Sequence, residues 1–245
     1  MNLPSNFPIW MIIVGALVAI GIGKMTFGGL GCNPFNPAIV GRCFLLVSFP
    51  AAMTSWPVAG QQMAYTDAVT GATPLSLMKT AIKTGDVSVL QGLPDTVDML
   101  LGNVANGYGA GTIGEVCALA LIAGLIWMLW RRVITWHIPV TILATVFVLS
   151  GALHVANPVY ANPMAVVLSG GLMLGAIFMA TDYVTSPMTH RGQVIYAVGI
   201  GVLTVVIRNW GSYPEGMSFA ILIMNAFTPL INFYVKPKRF GEVSR

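Results

Sequence analysis

Apolar residues in this chain come in long runs. Seven stretches, roughly 8–24, 38–54, 113–130, 133–150, 164–181, 193–209 and 217–235, are nearly free of charge and are separated by segments rich in Gly, Pro, Asn and charged residues. A helix crossing a hydrocarbon core needs about 20 apolar residues, within about 17–25. Each run therefore predicts a membrane helix, several at the short end of that range.

The polar stretches between the runs divide the chain. Residues 1–54 read as membrane helices and 113–245 as a second membrane portion ending in a polar tail. Between them, residues 55–112 hold Asp67, Asp86, Asp95 and Asp98 against only Lys79 and Lys83, with many Gly and Thr. A connection this long is expected to carry structure of its own. Residues 75–83 and 93–102 each predict a short helix.

Two junctions look alike. Phe-Gly-Gly-Leu-Gly-Cys-Asn-Pro-Phe-Asn-Pro-Ala-Ile-Val-Gly-Arg at 27–42 and Phe-Met-Ala-Thr-Asp-Tyr-Val-Thr-Ser-Pro-Met-Thr-His-Arg-Gly at 178–192 each follow an apolar run, interrupt it and restart. They read either as surface turns or as paired broken helices of a duplicated membrane unit. Irregular backbone at membrane depth must pack in protein or line a cavity. Asn33, Asn36, Thr181 and Asp182 are the polar groups at these junctions, and Asn33, Asn36 and Asp182 are the candidates for an ion pathway. Asp182 reads either as a helix-end carboxylate paired with Arg191 or His190, or as an ion-handling group.

Composition fixes the class. The 245 residues are 56% hydrophobic and 8% charged, where soluble domains carry about 25% charged residues. The mean hydropathy is +0.79. The chain is an all-α integral membrane protein by this reading. Its formal charge of +4 is dispersed between apolar runs, which argues against a nucleic-acid partner and for membrane orientation. Lys236, Lys238, Arg239 and Arg245 follow the last run and place the tail inside. Counting back four spans reaches Arg131 and Arg132, and counting back two reaches His190 and Arg191, so these share its side. Lys24 and the 25–37 loop follow, and the insert 55–112 faces outward. Trp127, Trp130 and Trp136 read as an interfacial belt beside the arginine pair.

Cys32, Cys43 and Cys117 lack ligand spacing and read as packing residues. His137 and His154 are isolated, so no metal is assigned. Met1-Asn2-Leu3-Pro4-Ser5 lacks the basic n-region of a signal peptide, and a truncated or late start is one expectation.

Three polar features carry candidate chemistry. Thr70-Gly71-Ala72-Thr73-Pro74 is by itself a turn, with Gly supplying freedom and Pro fixing the residue before it. Glu115 is expected in the first turn of the third span, where an acid suits the helix dipole. Thr112 would cap that helix, or the N–H groups after Gly111 would form an anion pocket. Arg208, ahead of the turn at 211–216, is a partner for an anionic ligand or for Glu215.

Five blocks together resemble one family: residues 27–42, Thr-Gly-Ala-Thr at 70–73, Ile-Gly-Glu at 113–115, Phe-Met-Ala-Thr-Asp at 178–182 and Tyr-Pro-Glu-Gly-Met at 213–217. In order and spacing they are similar to the D subunit of the Rnf ferredoxin:NAD oxidoreductase and to its relative, the B subunit of the sodium-pumping NADH:quinone oxidoreductase. The ending at 229–241 is more like the Rnf member. The resemblance implies an FMN joined through its phosphate to Thr73, with Thr70, Gly71 and Ala72 as its neighbours and Arg208 and Glu115 as further candidates for cofactor binding. It implies a urea-transporter-like inverted-repeat fold, here lacking the family's N-terminal helices. Some members also bind riboflavin in the membrane part. The implied partners are the other subunits of an Rnf-type complex, a flavin-attaching transferase and the lipid of a bacterial cytoplasmic membrane. The implied function is electron transfer coupled to movement of Na⁺ or H⁺. The competing readings are a non-redox transporter or channel, a scaffold, and the flavin subunit of a quinone-reducing pump.

Overall fold

A computed structural model of the protein describes residues 3–57, 71–102, 114–115 and 117–236. Thr70, Gly111 and Thr112 lie outside them, as does the basic tail beyond Lys236.

Helix α1 (Ile9–Leu17) continues through a π turn (Val18–Ile22) to a 3₁₀ turn at Met25–Phe27. It is followed by α2 (Pro37–Ser48), α3 (Pro50–Met53), α4 (Pro74–Thr84), α5 (Thr96–Leu101), α6 (Ala118–Trp130) and α7 (His137–Ala156). The chain ends with α8 (Pro163–Leu168), α9 (Leu172–Leu174) running into a π turn at Gly175–Met179, α10 (His190–Trp210) and α11 (Met217–Tyr234). Three starts share one sequence signal, a capping residue followed by proline. Asn36, Thr73 and Asn162 accept from the backbone N–H groups of Ala38, Ser76 and Met164, with Pro37, Pro74 and Pro163 at the first helical position. Proline has no N–H to leave unpaired there, and its fixed φ suits the first turn. The two short helices expected in the insert form as α4 and α5, each closed by a left-handed glycine, Gly85 and Gly102.

Among the described residues, four helices are long and apolar enough to cross a membrane: Ile9–Phe27, His137–Ala156, His190–Trp210 and Met217–Tyr234. The other expected spans come out differently. Residues 38–54 give α2 and α3, because the chain bends at Phe49 and Pro50 cannot continue the α2 ladder. Residues 113–130 give the shorter α6, which starts at Ala118. Residues 164–181 are not one helix: α8 stops at Leu168, Gly170 takes φ +64, and α9 restarts at Leu172. Hydropathy misses this break because Ser169-Gly170-Gly171 is small rather than charged.

The two junctions flagged in the sequence connect helices, and they touch. Asn36 at the end of the first donates its Nδ2 to the carbonyl of Met179 in the second, 3.1 Å away. Asn225 of α11 joins them: with its amide oxygen toward α2 it accepts from the Asn36 N–H at 3.2 Å, and its amide nitrogen lies 2.6 Å from the Tyr196 hydroxyl. Tyr196 and Asn225 are almost fully buried, so this network ties α2, α10 and α11 where no water reaches.

The core is built on α7, α10 and α11, through Ile142, Val146, Tyr196, Ile200 and Ile221, with Ile39 of α2 and Leu172 and Ala176 of the broken segment. Helices α7 and α10 run parallel. Their N-terminal histidines stack, His137 on His190 with ring centroids 4.4 Å apart, and Thr135 donates to Gln193 at 3.0 Å beside them. Helix α11 returns antiparallel, since Thr189 donates to the Val235 carbonyl at 3.2 Å. Arg131, Arg132, Arg191 and Lys236 therefore share one face. Helix α4 lies at the other, where Lys79 meets Gly211 just past the end of α10.

Asn36→Ala removes both the α2 cap and the tie to Met179. The expected loss is about 1–2 kcal/mol, read as a lower midpoint of thermal unfolding in detergent, whereas Asn33→Ala, which removes only a local bond to the Phe35 carbonyl, costs less.

Candidate functional site

Helix α4 begins at Thr73, which sits in extended backbone (φ −74, ψ 153) because Pro74 disfavours the helical region for the residue before it. The Thr73 Oγ1 accepts from the Ser76 N–H at 3.3 Å, and the Ser76 hydroxyl returns a bond to the Thr73 carbonyl at 2.7 Å. Thr73 is half-buried, and Ala72 before it is exposed. A hydroxyl thus stands at the positive end of an 11-residue helix, where anionic groups are stabilised.

One face of α4 packs downward. Leu75, Met78 and Lys79 are buried. Met78 lies in an apolar cluster with Met99, Ala161 and Ala165, and Lys79 donates its Nζ to the Gly211 carbonyl at 2.6 Å. Burial pushes the Lys79 ammonium below the usual lysine range, and Lys83 adds to the effect. With Ile82, these α4 side chains line a small cleft whose far sides are formed by Ser150, Tyr160, Val166, Val205 and Arg208.

Beneath α4 lies the break between α8 and α9. Arg208 of α10 donates Nη1 to the Val166 carbonyl at 2.8 Å and Nη2 to the Ser169 carbonyl at 3.1 Å. A cation therefore closes the negative end of α8. At the other side of the break, Glu115 Oε1 stands 2.8 Å from where a Cβ on Gly171 would be, next to the N-terminal end of α9. The two half-helices end against charges of opposite sign.

Arg42 ties this region together. Its side chain, 3% exposed, lies 3.7 Å from Glu115, itself 4% exposed. Its second terminal nitrogen is bonded to Glu215. A buried cation held between two carboxylates is stabilised only while both partners stay in place.

The expected site residues thus fall into two groups. Gly71, Ala72, Thr73, Arg208 and Glu115 lie on the α4 side of the molecule. Arg208 does not pair with Glu215 but holds helix-end carbonyls; Glu215 belongs to Arg42. Glu115 precedes α6 instead of entering its first turn, because Cys117 is the residue before the helix and the carboxylate is drawn toward Arg42. Asn33, Asn36 and Asp182 lie toward the opposite, basic half. Asp182 accepts from the Thr185 hydroxyl at 3.1 Å, and the ion pairs found among the described residues are both Arg42's. Sequence reasoning missed the parts played by Arg42, Lys79 and Gly170. For Arg42 a signal existed, a lone arginine inside an apolar run. For Gly170 there was none.

The sequence matches the NQR2, RnfD, RnfE family over residues 1–241. The chain belongs to this family. Its relatives include the D subunit of the Na(+)-translocating ferredoxin:NAD(+) oxidoreductase complex of Acetobacterium woodii, 46% identical over 98% of this chain and 69% of that protein. The D subunit of the proton-translocating ferredoxin:NAD(+) oxidoreductase complex of Clostridium ljungdahlii is 41% identical over 98% and 71%. The D subunit of the ion-translocating oxidoreductase complex of Halorhodospira halophila is 40% identical over 99% and 72%. The Rnf member expected from the five sequence blocks is the one these relatives represent.

Arg42→Met is expected to cost this NQR2, RnfD, RnfE family member about 3–5 kcal/mol, because two carboxylates lose their shared cation in a buried setting. Arg42→Lys should recover only part of that loss, since an ammonium lacks the planar fork that reaches both. Thermal unfolding of the purified protein in detergent reads both.

Proposed function

We propose that this chain is the D subunit of an Rnf-type, ion-translocating ferredoxin:NAD oxidoreductase complex and carries an FMN esterified through its phosphate to Thr73. Its membrane helices couple the electron transfer to movement of Na⁺ or H⁺. The observation that carries the reading is the position of Thr73, last residue of Thr-Gly-Ala-Thr and N-cap of α4. Family membership and the names of its relatives support the choice of complex.

The residues present fit the group. The first-turn amides of α4 and the helix dipole favour a phosphate at Thr73. Gly71 and Ala72 add no bulk on the approach, so a flavin-attaching transferase has access to the hydroxyl. Pro74 limits the conformations of Thr73, which keeps the tether short and directed. When bound, the isoalloxazine supplies the one- and two-electron chemistry. The chain's own part is to hold it. Helix α4 is fastened to the membrane portion through Leu75, Met78 and Lys79, while Arg208 and Lys79 contribute positive potential beneath it. Asn36, where the two junctions meet, with Asn33 and Asp182 of those junctions, is the proposed ion pathway in the other half. The finer fold reading is a urea-transporter-like inverted repeat, which the break between α8 and α9 suits.

Orientation follows from charge. The face with Arg131, Arg132, Arg191 and Lys236 is inside and the face with α4 is outside, with the basic tail cytoplasmic. Alkaline phosphatase fused after Ser88 should be active in cells, and a fluorescent protein fused after Arg245 should fold and glow. The reverse pattern overturns the orientation.

The cofactor is tested on a denaturing gel under ultraviolet light. In cells that hold the flavin-attaching enzyme, the wild-type band is expected to fluoresce and the Thr73→Val band to be dark. A dark wild-type band sinks the reading, and Thr73→Ser should retain fluorescence.

A further inference from the structure

The helix that begins at Thr73 rests in the break of the 163–179 segment, and one glycine makes the seat. Leu75, two residues beyond Thr73, is buried, and its Cδ1 lies 2.1 Å from where a Cβ on Gly170 would stand. A side chain at position 170 would force Leu75 to swing away from the break. Gly170 also holds φ +64, a conformation that other residues rarely adopt. Further along α4, Met78 Sδ lies 3.9 Å from the Ser169 hydroxyl and Lys79 bonds the Gly211 carbonyl. These contacts fix the angle of the helix, while Leu75 on Gly170 fixes its height.

The underside of the same break carries the buried charges. The position of a Gly170 Cβ is 3.4 Å from Arg208 Nη2, and that of a Gly171 Cβ is 2.8 Å from Glu115 Oε1. Glu115 in turn faces Arg42. Gly170 thus meets both Leu75 of α4 and Arg208, and Gly171 beside it meets Glu115.

We propose that Gly170 and Leu75 are positioning residues for electron transfer: the notch at Gly170 sets how close the group carried by Thr73 stands to its redox neighbours and to the buried charges at the break. This rests on Thr73 as the point of flavin attachment. Neither residue touches the reacting atoms. They act through α4, and an electron hop slows as the distance between the redox groups grows.

The test uses membranes containing the assembled complex, with covalent flavin measured by gel fluorescence and ferredoxin:NAD⁺ activity expressed per flavin. Gly170→Ala pushes a methyl into Leu75, and Leu75→Ala empties the notch without adding left-handed strain, so it keeps the test open where Gly170→Ala fails to assemble. Both are expected to keep their fluorescent band and to lose activity per flavin. Leu75→Met, which conserves volume, should stay near wild type. The double variant Gly170→Ala with Leu75→Ala should recover part of the Gly170→Ala loss, because residues in contact are not additive. Unchanged activity per flavin in both single variants, with a fluorescent wild type, overturns this inference alone. A dark wild-type band overturns the flavin reading and the inference with it.

Discussion

A helix that stops among apolar neighbours leaves carbonyl groups that water cannot reach. In this protein that problem arises at Ser169, where α8 ends, and Arg208 answers it by donating to the Val166 and Ser169 carbonyls from α10, with the Ser169 hydroxyl also donating to Val166. Unpaired, each such carbonyl would cost several kcal/mol. The break therefore persists because a buried guanidinium is available, and the guanidinium is tolerated in a membrane helix because the break offers it acceptors.

The rest of the α4 side follows from that exchange. A buried arginine attracts acids, and the region balances itself: Arg208 and Arg42 on one sign, Glu115 and Glu215 on the other. Arg42 reaches across from α2 to hold the two acids, one just ahead of α6 and one just ahead of α11. Elements distant in the chain are thereby joined at one level. The glycines of the break leave room above these charges, and α4 settles into it with Leu75 foremost. A polar insert is converted in this way from a loop into a platform attached to the membrane portion.

In the other half of the molecule the contact between the two junctions is made by neutral groups. The junctions at 27–42 and 178–192 meet through Asn36 and the Met179 carbonyl, and Tyr196 and Asn225 close the remaining polar groups. Amide and hydroxyl partners suffice there because neutral dipoles need less compensation on burial than ions do. The two halves thus differ in chemistry: ion pairs join distant elements under α4, while amide and hydroxyl groups join them toward the basic face.

Much was legible in the chain itself. Long uncharged runs require lipid, the positions of Arg131, Arg132, Arg191 and Lys236 assign them one face, and the Asn-Pro and Thr-Pro pairs mark where α2, α4 and α8 begin, since these depend only on local backbone chemistry and on hydropathy. The five sequence blocks reached the family. What the sequence could not decide were the meetings between distant positions. Hydropathy reads 164–181 as one span because Ser169-Gly170-Gly171 has no charge to betray a break. Arg208 faces Glu215 in sequence logic, a short turn of chain away, yet geometry gives Glu215 to Arg42 and gives Arg208 to helix-end carbonyls. A left-handed glycine is visible only once the backbone around it is known. Pairing among buried charges is settled by which elements pack together, and that is a property of the tertiary structure alone.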